Sequence, residues 1–167
     1  IQPADIDESP RENETPMELV ARLATEKAQA VKAHLEDKQA MTEDKVILAS
    51  DTLISFDGQS VGKPEDKADS KRILTMLSGK THEVLTAICA LSNTKQQTEV
   101  ITTSVTFAAL TDEQIDAYWE TGEPADKAGS YAIQGIGGEF VVSINGSASA
   151  VIGCLLYTSP SPRDGNV

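Results

Sequence analysis

Apolar positions recur at helical spacing near the start of the chain, at Val20, Leu23, Ala24, Val31 and Leu35, and the run opens on Thr15-Pro16-Met17-Glu18. Threonine three residues ahead of glutamate, with proline in the first turn, is a capping box, so the pattern predicts a helix to about Leu35. Lys27 breaks the apolar stripe: at about 100° per residue it falls roughly 20° from Val20 around the axis. An ammonium in that place must snorkel to water or meet an anion.

The period then changes to two. Val46 to Phe56 reads as a strand, and Asp57-Gly58 is a two-residue hairpin turn. Pairing Phe56 with Gln59 sets Thr52 opposite Lys63, with Asp51 one residue further out. An unbroken pleat puts Asp51 and Lys63 on opposite faces and a bulge brings them together, and in either case they are expected close in space. Lys67 to Ser78 reads as a helix capped by Asp66 and stopped by Gly79. Glu83–Leu91 and Glu99–Phe107 alternate around a polar turn at Ser92–Gln96, which predicts a second hairpin. Thr111-x-x-Gln114 opens a short helix through Trp119, and two further strands are expected at Ser130–Ile133 and Glu139–Ile144. Cys89 and Trp119 are expected in the core, and His82 is expected to cap or pack.

Hairpins mixed with helices predict an α/β domain, a mixed twisted sheet flanked by helices, rather than a strict Rossmann alternation. A chain of 167 residues suits one such domain. No apolar run reaches the roughly 18–20 residues that cross a bilayer, so a membrane protein is not expected. The net charge of −12 repels nucleic-acid backbones. A small polyanion remains acceptable if lysines and a metal line its pocket. Cys89 and Cys154 show neither CxxC spacing nor a histidine pattern, which fits a reducing cytoplasm. Whether two chains pair as a homodimer is left open by the sequence.

The stretch CLLYTSPSPRD, Cys154 to Asp164, back-translates to a sequence resembling a transposase-type sequencing adapter. The domain is therefore expected over residues 1–153, with 154–167 as a non-native tail.

Breaking a phosphoanhydride requires an attacking water, a group that orients or deprotonates it, and neutralised phosphate charge. Asp51 and Glu8 are candidates to hold a divalent metal or act as base, and Lys27, Lys63 and Lys127 to clamp phosphate. Strand-end acids and surface lysines are more often solvated or salt-bridged. Gly135-Ile136-Gly137-Gly138 also lacks the spacing of a phosphate fingerprint.

The segments ADIDE (4–8), ATEKA (24–28), ASDT (49–52), GKP (62–64), LSGKTHEVLTA (77–87), DKAGSYAIQG (126–135) and INGSASAVIG (144–153) together resemble the Maf family of nucleoside triphosphate pyrophosphatases. The resemblance implies a Maf/inosine-triphosphatase-like fold and metal-assisted hydrolysis of a nucleoside triphosphate to the monophosphate and pyrophosphate, with Mg or Mn as the metal. It implies that Asp51 accepts the proton or positions the water, and that Thr52 bears on substrate choice. Glu8 is implied for metal or water, with Asp51 as the second metal candidate, and Lys27 and Lys63 for phosphate. Gln134 matches the glutamine of the branch preferring dTTP and UTP, where an amide can pair with the oxygen and N–H of a pyrimidine edge.

Family members carry an S-x-S-x-R-R segment on a first strand, and nothing like it precedes ADIDE. About 25 residues by family spacing, including that strand, are expected to be missing, leaving an unpaired sheet edge and weak or no activity in this chain. A second reading is a non-catalytic nucleotide-binding or division-regulating module. Retention of the S-D-T, EKA, GKP and IQG residues argues against it.

Overall fold

The computed structural model describes residues 6–151. The tail beginning at Cys154, and the end of the INGSASAVIG segment, lie outside the described residues.

The first helix, α1 (Pro16–Asp37), starts where the sequence sets its cap: the Thr15 hydroxyl accepts the Glu18 amide and the Glu18 carboxylate accepts the Thr15 amide. It ends where Gln39 turns left-handed (φ 52°) and the Ala40 amide reaches back to the Leu35 carbonyl. Leu19, Val20, Leu23, Ala24 and Ala28 are its buried face.

Strands β1 (Ile47–Phe56) and β2 (Gln59–Val61) form the first hairpin. Asp57 and Gly58 both take positive φ, 50° and 76°, the backbone a two-residue turn needs to follow the strands' twist. Phe56 pairs with Gln59, as the turn predicts. Helix α2 (Lys67–Leu77) is capped by Asp66, whose side chain accepts the Asp69 amide. Strands β3 (Thr81–Leu91) and β4 (Gln96–Phe107) make the long central hairpin, and α3 (Asp112–Glu120) opens on a second capping box from Thr111 and Gln114. Strand β5 (Val141–Asn145) and the short helix α4 (Ala148–Val151) follow. The sheet order is β2-β1-β3-β4-β5, and every pairing among the described residues is antiparallel.

Strand alternation divides the core in two. Leu53, Leu85, Ala87, Cys89 and Leu91 face α1, whereas Ile54, Val61, Val84, Val105 and Phe107 face α2 and α3. Ile73, Leu74 and Leu77 of α2 are at most 1% exposed. Each such side chain contributes about 1.5–3 kcal/mol of burial. Cys89 is a small core residue, and His82 is buried edge-on to Phe107 and Tyr131. Trp119 is only partly buried, because Tyr118, one residue earlier, takes the inward position on α3.

The expected strand at Ser130–Ile133 is not formed. Gly129 (φ 68°) and Ser130 (φ 62°) are consecutive left-handed residues, which no strand accommodates, and they close a 3-10 turn over Ala128–Ser130. The strand expected from Glu139 begins at Val141, because a 3-10 turn occupies Ile136–Phe140. No helix among the described residues is long and apolar enough to cross a membrane.

Candidate functional site

Two groups of the sequence-selected residues meet back to back across β1. The first lies on the α1 side. Lys27 projects from the apolar stripe of α1 and its Nζ donates to Asp51 Oδ1 at 2.6 Å and pairs with Glu8 Oε1 at 2.8 Å. Of the two outcomes open to that ammonium, the structure shows the anion, supplied by Asp51 and Glu8. The carboxyl group of Asp51 is largely enclosed, with 12% of its side chain exposed, whereas that of Glu8 is 58% exposed.

The electrostatics follow from this enclosure. Burial, the largest influence on Asp51, pushes its carboxyl above the usual range even though the Lys27 ammonium opposes the shift. Burial also works against the Lys27 ammonium, but the bonds from Asp51 and Glu8 outweigh it and raise its pKa. With both carboxylates ionised, the triad has one more negative than positive charge.

Glu8 is held by the chain around it. The Arg22 guanidinium donates to the Ser9 carbonyl at 2.9 Å, to Glu14 at 2.6 Å and to Glu26 at 3.1 Å. The bond from Arg22 drives Glu14 down to about 2. Ile6 packs against the α1 core, so the segment carrying Glu8 is fixed at both ends.

The second group lies on the opposite face. A cavity of about 360 Å³ is lined by Thr52, Lys63, Lys127, Tyr131 and Gln134 among others. That volume falls within the usual range of small-molecule sites. Thr52 Oγ1 lies 3.0 Å from Thr86 Oγ1, which donates to the Ala150 carbonyl. The Gly129 amide donates to the Gly62 carbonyl at 2.9 Å and ties the segment bearing Lys127 to the one bearing Lys63. Lys127 pairs with Asp126, whose pKa falls chiefly through that bond and further through Lys63.

The structure thus joins Glu8, Lys27 and Asp51, and separately Thr52, Lys63 and Gln134. It does not group Asp51 with Lys63: Asp51 pairs with Lys27 on the α1 side while Lys63, just past the end of β2, lines the cavity with Thr52, and no bulge interrupts the β1–β3 ladder at Asp51. The two groups are nevertheless reachable together. Strand β2 pairs only with Ile54–Phe56, so from Leu53 back to Ile47 the outer edge of β1 has no partner strand among the described residues. A ligand lying over that edge can touch Asp51 on one side and Thr52 on the other.

Tyr118, Glu123 and Asp126 also shape this region, and sequence reasoning missed them. Glu123 and Tyr118 act on backbone amides far along the chain, for which no residue spacing is a signal. Asp126 beside Lys127 was visible only as part of the DKAG run.

An α/β domain with an enclosed acid–lysine triad on one side of a strand and a lysine-lined cavity on the other is of the class that handles small polyanions. The Maf-like protein family profile matches residues 1–158. The dTTP/UTP pyrophosphatase of Vibrio vulnificus (strain YJ016) is 48% identical over 153 residues, covering 92% of this chain and 79% of that protein. The same-named protein of Pseudoalteromonas atlantica (strain T6c / ATCC BAA-1087) is 49% identical over 154 residues, 92% of this chain and 79% of its own length. That of Colwellia psychrerythraea (strain 34H / ATCC BAA-681) is 48% identical over 157 residues, 94% and 73% respectively. The chain belongs to the Maf family.

Proposed function

We propose that this protein hydrolyses nucleoside triphosphates, dTTP and UTP foremost, to the monophosphate and pyrophosphate. The observation that carries the reading is the pairing of Lys27 with Asp51 at the open edge of β1, back to back with a cavity holding Thr52, Lys63 and Gln134. The names of the similar proteins support the same reaction.

In this reading the triphosphate crosses the edge of β1. Asp51, whose raised pKa makes it a better proton acceptor than an ordinary carboxylate, orients and deprotonates the attacking water. Lys63 and Lys27 offset charge on the phosphates as the leaving pyrophosphate separates. Lys127 assists from the cavity wall. Gln134, exposed at the cavity, offers an amide that accepts from and donates to a pyrimidine edge, and Thr52 bounds the same space.

A divalent cation, Mg or Mn, fits the donor set. Glu8 and Asp51 present two carboxylates about a single ammonium, with a residual negative charge, and no cluster of three or more acidic, histidine or cysteine ligands occurs among the described residues. Mg²⁺ is commonly held by one or two carboxylates together with substrate phosphates. When bound, such an ion would lower the pKa of a water and offset phosphate charge. Cysteine usage supports a reducing cytoplasm as the setting.

The test is phosphate release from dTTP and UTP with inorganic pyrophosphatase added. Release above the buffer blank is expected. Saturable binding without release would replace hydrolysis by a non-catalytic nucleotide-binding role.

A further inference from the structure

The loop that presents Gln134 owes its shape to one carboxylate outside the cavity. Between Tyr131 and Phe140 the chain forms no ladder, so its backbone amides need other partners. Glu123 supplies them: Oε1 accepts the Ile136 amide at 3.1 Å and Oε2 accepts the Gly137 amide at 2.9 Å. The Tyr118 hydroxyl donates to the same Oε2 and itself accepts the Ala132 amide at 3.2 Å. One acid and one phenol therefore hold both ends of the five-residue span 132–136 that has Gln134 at its centre.

The glycines around Gln134 record the same contacts. A Cβ on Gly135 would lie 1.8 Å from Glu123 Oε1, and one on Gly137 would lie 2.5 Å from the Tyr118 hydroxyl oxygen. Real Cβ atoms do not approach so closely, so both glycines are required for the loop to sit against its anchors. Hydrogen bonds within the loop, Gly135 amide to Ala132 carbonyl and Gly138 amide to Gly135 carbonyl, each 3.1 Å, complete a compact turn. Ala132, Ile133 and Gln134 all line the cavity, whereas neither Tyr118 nor Glu123 does.

We propose that Glu123, acting with Tyr118, is a positioning residue that sets nucleobase selectivity by fixing the loop on which Gln134 meets the base. The inference rests on the reading of Gln134 given above. Tyr118 is buried and Glu123 partly so, and three donors converge on the two carboxylate oxygens. Glutamine in that place has a single acceptor oxygen and turns an NH₂ toward at least one of those donors. The loop must then shift, and a displacement on the order of 1 Å at a positioned group is enough to weaken what that group contributes.

The experiment compares kcat/KM for dTTP and for ATP in the parent, Glu123→Gln, Gln134→Ala and the double variant. Glu123→Gln is expected to lower the dTTP-to-ATP ratio by about tenfold, mainly through KM for dTTP. In the Gln134→Ala background it should lower the ratio no further. A ratio unchanged by Glu123→Gln while Gln134→Ala abolishes selectivity overturns this inference and leaves the role of Gln134 standing. Should Gln134→Ala leave selectivity intact, the base-reading role itself falls, and the inference with it. If Glu123→Gln fails to fold, Tyr118→Phe, which removes only the phenol oxygen, carries the same comparison, and an unchanged ratio there is equally fatal.

Discussion

Replacing Asp51 by asparagine separates chemistry from folding more sharply than any other change at this site. Asparagine keeps the shape and the Oδ1 acceptor that Lys27 meets at 2.6 Å, and Lys27 retains Glu8 at 2.8 Å, so no ammonium is stranded. The substitution also removes a carboxylate that burial disfavours. The net change in stability should stay within about 1 kcal/mol, or roughly 2–4 °C in Tm for a domain of this size. The effect on turnover should be far larger. A positioned general base contributes about 10²–10⁴-fold, equivalent to about 3–5 kcal/mol on the barrier. The assay is steady-state pyrophosphate release from dTTP beside a thermal melt. A fall in kcat of at least about a hundredfold at a preserved Tm is expected. The parent's kcat/KM should also show an acid limb above the ordinary carboxylate range, absent from the residual activity of the variant. A variant within about threefold of the parent at intact Tm would refute the assignment of Asp51.

Two further outcomes test the framework around the site. His82 is 1% exposed and held neutral by burial, with its pKa lowered from 6.5 to about 4; the unfolded chain therefore takes up the proton first as pH falls. The contribution of His82 to stability is expected to be full above about pH 6.5 and to drain between 6.5 and 4 by roughly 3 kcal/mol, which urea titrations at pH 7 and 4.5 would register as a slope that His82→Gln loses. At Gly129 an added Cβ would lie 2.2 Å from Ile54 Cδ1 at a φ of 68°. Gly129→Ala should cost about 2–4 kcal/mol in urea unfolding through the clash and the left-handed backbone, and parent-like stability would contradict the packing described.

Local chemistry was readable where the cause is local. Both capping boxes, at Thr15 and Thr111, form as their spacing implies, and the Asp57-Gly58 turn sets the Phe56–Gln59 register. The awkward place of Lys27 on its helix was legible as a choice between snorkelling to water and meeting an anion, and in the structure its ammonium meets Asp51. The Maf-family segments named all six residues placed around the edge of β1. What could not be read was which face each would take, because that depends on whether a bulge interrupts a ladder whose partner is distant in sequence. The mistaken strand at Ser130–Ile133 has a similar origin. Its β-forming residues are overruled by the left-handed pair Gly129-Ser130 and by Tyr118, whose hydroxyl accepts the Ala132 amide that a ladder would have used.

Asp51 and Thr52 are neighbours in the chain yet look out on opposite sides of β1, which nine successive pairings lock to β3. A point change in this strand alters one compartment at a time. Gain or loss of a single codon before Asp51 would instead tend to exchange the two, turning the acid toward the base cavity and the hydroxyl toward Lys27. Lineages of this protein should therefore tolerate substitutions at its exposed positions Leu48 and Ser50 more readily than any change in the strand's length.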